Sequence, residues 1–203
     1  MQIEYQAVDE LDFRLGLIEL LSAYGKIDQK TNSLINRVVA ETKLRAMQDA
    51  LKLYVEEGQR MTQCELMQEK HSSGRIGGHM ETSGYDKPAD HFHAHAIVSG
   101  GHKRAYAARE ILAQFNIRID EPANGLWLPN YKKNLHLSPI FDCAHGNIHN
   151  KIYYLNITAC LEQAMSQQHA REILRRVAQG IVSGRLPIHR QLRAREIMEF
   201  ANG

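Results

Sequence analysis

Apolar side chains recur at steps of three and four residues over two stretches in the N-terminal part of the chain. In residues 7–24 they are Val8, Leu11, Leu15, Ile18 and Leu21. In residues 29–57 they are Leu34, Val38, Leu44, Met47, Leu51, Tyr54 and Val55. This spacing predicts two amphipathic helices that end near Gly25 and Gly58. We expect them to pack as a hairpin, with the second apolar stripe in an internal core or, alternatively, against a partner.

A segment rich in glycine and serine follows these helices. Residues 72–90 read SSGRIGGHMETSGYDKPAD, a composition typical of loops and linkers. The glycine spacing matches neither common nucleotide-binding fingerprint. The pattern therefore predicts a helical N-terminal region over residues 1–70, a loop or linker over residues 71–90, and a third region over residues 91–203.

The third region mixes short extended pieces with helices. Residues 93–99 have the pattern of a short strand, and residues 103–115 have that of a helix. Residues 117–120 alternate between apolar and polar, and the turn-forming pair Asn124-Gly125 lies between short apolar runs. Further helices are expected over residues 148–163, 168–181 and 191–200. The fold class is therefore α+β and mostly helical.

Basic residues and histidines are concentrated in the same part of the chain. Residues 1–90 carry 11 Lys and Arg against 15 Asp and Glu, whereas residues 91–203 carry 14 against 8. Nine of the 11 histidines fall at or after His91. This coincidence suits a module that handles phosphate groups, and a solvated charged surface is the alternative.

Cysteine usage and hydropathy argue against two classes of protein. Cys64, Cys143 and Cys160 are odd in number and form no C-x-x-C pair, so we expect neither a disulfide framework nor a cysteine-based zinc site. No apolar run approaches the roughly 18 residues of a membrane span, and the first residues lack the layout of a signal peptide. We expect a protein made in the cytoplasm, with no membrane partner.

Two histidines, His145 and His149, stand four residues apart where a helix is expected. On one helix they would share a face, about one turn apart, and His95 could add a third imidazole from the strand. Three histidines leave positions open for water and substrate, as in catalytic metal sites. The spacing alone is common in a histidine-rich chain, so it predicts a metal site only with further support.

That support comes from four blocks of sequence. They are Ala94-His95-Ala96-Ile97-Val98; Ala107-Ala108-Arg109 with Leu112; Ile117, Ile119 and Pro122 before Asn124-Gly125 and Leu128-Pro129; and His145 and His149 with Tyr153. In this order and at these intervals, residues 90–161 resemble the AHH nucleases of the HNH and endonuclease VII superfamily. The resemblance implies a ββα-metal finger as the core. Many members of that family are bacterial toxins or effectors delivered into competitor cells.

The resemblance also implies a role for each matching residue. His95, His145 and His149 match ligands of a divalent ion such as Mg, Zn, Ni or Mn, and Asn124 matches the asparagine that clamps the loop of the finger. The implied activity is hydrolysis of phosphodiester bonds in DNA without sequence preference. Basic residues near the finger could contact phosphate groups or simply form a solvated surface, and these are Lys103, Arg104, Arg109, Lys132 and Lys133.

The chain departs from the family motif at one position. The second histidine of the motif acts as general base toward the attacking water, and Ala96 stands there. Loss of a general base typically lowers a rate by about a hundred- to ten-thousandfold, so we expect severe impairment. Either the alanine replaces a histidine so that a toxic nuclease can be produced safely, or the chain is a natural variant in which His93 or His91 serves as the base.

The toxin interpretation implies further partners. A cognate immunity protein would protect the producing cell, and a secretion apparatus or adaptor could recognise the N-terminal half before delivery into the cytoplasm of a target cell. Two alternatives remain. One is a noncatalytic, metal-stabilised nucleic-acid-binding module in which Ala96 is natural, and the other is an RNase built on the same finger.

Overall fold

A computed structural model describes residue 16 and residues 29–138, 140–141 and 143–203. The helix expected over residues 7–24 lies outside the described residues, apart from residue 16. The chain divides into two compact units, Met1–Ala50 and Leu51–Gly203. No described helix is both long enough and apolar enough to cross a lipid bilayer.

Helix α1 spans Gln29–Gly58, close to the bounds that its apolar pattern predicts. The expected internal stripe is not found in the first unit, because four of its members are exposed, namely Leu34, Val38, Leu44 and Met47. Periodicity identifies the apolar face of a helix but does not show what covers it. In the second unit the end of α1 is anchored, since Tyr54 is buried and its hydroxyl donates to Glu69 Oε1 at 2.9 Å.

The second unit is mostly helical with one small sheet, which confirms the α+β class. Its helices are α2 (Gln63–Gln68), α3 (Ser73–Thr82), α4 (Tyr106–Gln114), α5 (Lys151–Leu161), α6 (Gln167–Val182) and α7 (Ala194–Asn202). Strands β1 (Phe92–Ala96) and β2 (Gly125–Pro129) pair antiparallel. The two strands followed by α5 have the ββα order that the resemblance implies.

Helix α3 corrects the prediction of a loop or linker over residues 71–90. The Ser72 side chain caps the helix by accepting a hydrogen bond from a backbone N–H in its first turn. Ile76 and Met80 are fully buried and form an apolar cluster with Ala94 and Ala96 of β1. The segment is therefore part of the folded unit.

Two glycines, Gly77 of this segment and Gly125 of β2, allow close packing. A Cβ atom at Gly77 would lie 3.2 Å from the Trp127 ring, and one at Gly125 of β2 would lie 2.6 Å from Met80 Sδ. Glycine therefore lets α3 approach the hairpin closely. Composition alone does not distinguish this use of glycine from flexibility.

The segment between α4 and β2 is irregular, and it is held by buried charges. Pro122–Asn124 form a 3-10 turn that leads directly into β2, so the expected hairpin turn at Asn124-Gly125 is not found. Asp120 is fully buried, and its carboxylate accepts from the Ser72 backbone N–H at 2.9 Å and from Arg75 Nη2 at 2.6 Å. Glu121 pairs with Arg171 of α6 at 2.8 Å. These contacts join the segment to α3 and α6.

The two faces of the hairpin pack against different layers. Ala94 and Ala96 of β1 face α3, whereas Leu126 and Leu128 of β2 face the main core, because successive strand residues point to opposite sides. That core contains the buried side of α5, including Tyr153, Tyr154 and Ile157. The hairpin is thus held between α3 and α5, and His95 of β1 points toward α5.

Candidate metal centre

His95 is fully buried, and its contacts fix which ring nitrogen carries the proton. The Tyr153 hydroxyl lies 2.8 Å from the carbonyl oxygen of Ile97, which can only accept, so it donates its one hydrogen there. The Tyr153 oxygen must then accept from His95 Nε2–H, at 3.1 Å. The lone pair therefore lies on His95 Nδ1, a buried atom that has no hydrogen-bond partner. A metal ion would satisfy it.

His145 and His149 do not share an α-helix, contrary to the prediction. His145 begins the 3-10 turn His145–Asn147, and His149 lies in the short connection before α5. The helix starts late because the side chain of Asn150 caps it, accepting from the Tyr153 backbone N–H at 3.0 Å. Asparagine is among the preferred residues at such a cap.

The three predicted ligands nevertheless converge. One ring nitrogen from each of His95, His145 and His149 lies within 4.8 Å of the others. The ring centroids are 5.0 Å to 5.5 Å apart. Nitrogens about 2.1 Å from one ion in a tetrahedral site are about 3.4 Å apart, so the set would have to close by up to about 1.4 Å when an ion binds. These side chains could hold a divalent ion and leave coordination positions open.

Consecutive tyrosines of α5 each contact one of the three histidines. Tyr153 contacts His95, and the Tyr154 hydroxyl lies 2.6 Å from His149 Nδ1, which leaves His149 Nε2 for an ion. Hydrogen bonds of this kind fix the orientation of metal-binding imidazoles. Sequence reasoning placed Tyr153 in a motif without a role and missed Tyr154, because no local pattern in the sequence indicates that Tyr154 contacts His149.

Burial keeps the three imidazoles neutral. It lowers the pKa of His95 well below its ordinary value, with further lowering from His149 and His145. Burial, followed by the neighbouring His145 and His102, lowers the pKa of His149 to about 4. The pKa of His145 is lowered by burial and then by His93. Neutral imidazole is the form that binds metal.

Ala96 lies on the opposite face of β1 from His95. It is buried in the apolar cluster with Ile76 and Met80 of α3. Its methyl group cannot accept a proton, and the space beside it is occupied by the Met80 side chain. A longer side chain at this position would have to displace Met80.

The two histidines considered as substitute bases differ in their surroundings. His93 is exposed, and its ring centroid lies 6.1 Å from that of His145. Both side chains line a groove of about 370 Å³ beside α3, which also contains Lys87. His91 instead contacts Ser138, with its Nε2 3.1 Å from the hydroxyl oxygen. His93 is therefore the better placed of the two.

The Asn124 side chain ties the end of β1 to the start of β2. It is fully buried, and its Nδ2 donates to the carbonyl oxygens of Val98 and Ile119 at 3.0 and 2.8 Å. Its Oδ1 accepts from the Val98 backbone N–H at 2.8 Å. These bonds use every donor and leave no buried polar atom of the side chain unpaired. The contacts bridge 26 residues of chain, more than the local turn expected from the sequence.

The predicted phosphate contacts fall into three groups. Lys103 and Arg104 are exposed in the 3-10 turn before α4. Arg109 is half-buried, and its guanidinium donates to the Gly100 carbonyl. Lys132 and Lys133 are exposed in a 3-10 turn after β2.

Comparison with known families identifies the region that contains this centre. The model of a nuclease family of the HNH/ENDO VII superfamily, described by a conserved AHH, matches residues 76–181, just over half of the chain. Comparisons with curated proteins and with solved structures gave no match. The matched region includes the hairpin, the three histidines and α5. Where the family has Ala-His-His, this chain reads Ala94-His95-Ala96.

Proposed function

Because this chain belongs to the AHH nuclease family of the HNH/ENDO VII superfamily, we propose that it is a metal-dependent endonuclease that hydrolyses phosphodiester bonds in DNA. One observation carries the metal-dependent part of the proposal. His95 Nδ1 is buried without a hydrogen-bond partner, and the His95 side chain belongs to the cluster with His145 and His149. An unpaired buried acceptor is costly, and a bound cation removes that cost.

Each residue of the centre has a distinct role in this proposal. His95, His145 and His149 hold the ion through neutral nitrogens, which leaves its full charge available. When bound, a divalent ion stabilises the negative charge that develops on phosphate oxygens during hydrolysis. Asn124 has a structural role, since it sets the distance between the strand that carries His95 and the turn before β2. Lys103 supplies a cation for the phosphate backbone.

Ala96 leaves the general-base position empty, and we propose that the chain cleaves slowly for that reason. If the alanine replaces a histidine, restoring histidine should restore the rate. If the alanine is natural, His93 is the side chain in the groove that could accept a proton in its place. The packing of Ala96 against Ile76 and Met80 favours a second candidate function, a metal-stabilised module that binds nucleic acid without cutting it.

Cleavage of supercoiled plasmid by the Ala96→His variant tests the proposed function. The parent chain, Ala96→His and Ala96→His with Met80→Ala are compared in Mg, Mn, Ni, Zn and chelator, and the double variant relieves crowding in the apolar cluster that contains residue 96. We expect metal-dependent cleavage at least about a hundredfold faster with histidine, and none when His95→Ala is added. Folded, metal-bound protein that never cuts would favour the binding module, and preferential cutting of transfer RNA would identify an RNase.

The biological setting of this activity is also a proposal. We assign the chain to the toxin or effector type, with an immunity protein that covers the basic surface near Lys103 and delivery into the cytoplasm of a target cell. The basic balance of residues 91–203 supports an acidic inhibitor, because opposite charges speed association. Residues 1–70 are proposed as the region that a secretion adaptor recognises. Co-purification of an inhibitor that abolishes plasmid cleavage tests this setting.

A further inference from the structure

His102 stands beside the metal centre but matches no position of the family motif. Its ring stacks on that of Tyr154, with centroids 4.8 Å apart and planes 20° apart. The His149 ring is 6.2 Å away and nearly parallel. His102 is half-buried, so part of the side chain is open to solvent.

The tautomer of the neutral His102 ring is set by the turn that it begins. The backbone N–H of Arg104 donates to His102 Nδ1 at 3.1 Å. An atom that accepts this bond carries no hydrogen, so the neutral ring has its proton on Nε2. Within the described part of the chain, this Nε2–H makes no hydrogen bond. The ring therefore offers one oriented donor near the metal centre.

This arrangement excludes two simpler roles for His102. It does not belong to the cluster of nitrogens that could hold an ion. Its Nδ1 lone pair is also not free to act as a general base while the turn is intact, because it accepts the hydrogen bond from the Arg104 N–H. What remains is donation to an acceptor that arrives from solvent.

We propose that His102 donates its Nε2–H to a nonbridging phosphate oxygen of the nucleic acid held at the metal centre. This inference rests on the proposed function. The two residues that follow, Lys103 and Arg104, are exposed and cationic, so phosphate groups are attracted to this side of the centre. The nucleic-acid backbone thus crosses the turn at residues 103–105 before it reaches the histidine cluster.

Two substitutions separate the donor role of His102 from its role in the turn. In His102→Asn the side-chain oxygen replaces Nδ1 as the acceptor for Arg104 N–H, but no donor remains at the position of Nε2. In His102→Gln an amide N–H reaches the position of Nε2, but no atom replaces Nδ1 as the acceptor for the Arg104 N–H. Both variants lose the ring that stacks on Tyr154, so that contact is matched between them.

The test measures the dissociation constant of a short DNA duplex by fluorescence anisotropy, with zinc and with chelator, together with the Tm. With zinc, we expect about tenfold weaker binding by His102→Asn than by the parent, at a Tm above that of His102→Gln. We expect His102→Gln to bind within about twofold of the parent despite a lower Tm. Zinc affinity should be the same in the two variants, because both lose the ring that stacks on Tyr154.

Three outcomes would overturn the inference. Unchanged affinity in His102→Asn would remove the donor role alone and leave the proposed function intact. Weaker binding by His102→Gln than by His102→Asn would show that affinity follows the integrity of the turn. If the parent chain binds zinc but no nucleic acid, the proposed function fails and this inference fails with it.

Discussion

The hydroxyl of Tyr153 decides which nitrogen of His95 is available to a metal ion. It gives its hydrogen to Ile97 O and accepts the one on His95 Nε2, so that Nδ1 is left with its lone pair. Without this hydroxyl the imidazole would be able to turn or to adopt the other tautomer. Tyr153 is fully buried, so no water can replace the missing oxygen without local opening.

We therefore expect Tyr153→Phe to weaken zinc binding about 10- to 100-fold. The free energy of unfolding of the metal-free protein should fall by about 1–3 kcal/mol, because His95 Nε2–H and Ile97 O lose their partner. Competition with a chromophoric chelator and urea unfolding measure the two effects. Tyr131→Phe, at an exposed tyrosine, is the control. Unchanged zinc affinity in Tyr153→Phe would show that the hydroxyl does not position His95.

At the scale of single residues, the sequence predicts which histidines converge on the metal site. It does not predict which side chains orient them. His95, His145 and His149 are recognisable because the chemistry of metal binding limits the residue types, and a family motif limits the spacing. Tyr154 and His102 are not recognisable in the same way. Their contacts depend on where a loop of several residues runs, and no local pattern encodes that path.

Helix α3 packs on the hairpin at Gly77, where the absence of a side chain allows close contact. Gly77 faces Trp127 at contact distance, whereas its neighbour Gly78 has no atom within 4 Å of the position that a Cβ would take. The two residues share one helix and differ mainly in what lies opposite. They therefore form a matched pair for measuring the contact.

We expect Gly78→Ala to raise the free energy of unfolding by about 0.5–1 kcal/mol, the usual gain in a helix interior. Gly77→Ala should give a smaller gain or a loss, because its methyl group meets the Trp127 ring at 3.2 Å. Urea unfolding of both variants beside the parent measures the difference. Equal gains at the two positions would mean that α3 is not packed on the hairpin.

Elements with strong periodicity are predicted well, and elements that depend on tertiary contacts are not. The bounds of α1 and α6 lie within about two residues of those that their apolar patterns predict. The pattern over residues 72–90 failed because glycine and serine occur both in linkers and in helices that pack closely. The helix start expected at residue 148 failed because the Asn150 cap, which sets the true start, was not considered.

At the scale of the whole molecule, the excess of basic residues overstates the charge available to a nucleic acid. Several arginines are already paired with acidic side chains. Arg171 pairs with buried Glu121 at 2.8 Å, and Arg118 pairs with Glu69 at 2.8 Å. Lys103 and Arg104 are exposed on the side of His102. Some of the basic side chains in residues 91–203 thus form structural ion pairs, and others are exposed and available to a ligand.

The boundaries between regions also depend on contacts that composition does not show. The sequence suggested a nuclease domain that begins after a linker, at residue 91. In the structure the second compact unit begins at Leu51, and the family match begins within α3. Buried residues such as Asp120 and Ile76 connect these earlier helices to the hairpin. The role proposed for residues 1–70 remains a separate question for experiment.

The central claim is that His95, His145 and His149 hold one divalent ion, and a calorimetric titration of the metal-free protein with zinc tests it most directly. We predict one ion per chain, with binding lost in His145→Ala and unchanged in His136→Ala, whose imidazole lies outside the cluster. The result does not depend on the residue at position 96. Absence of binding, or equal binding by the parent and His145→Ala, would contradict the claim.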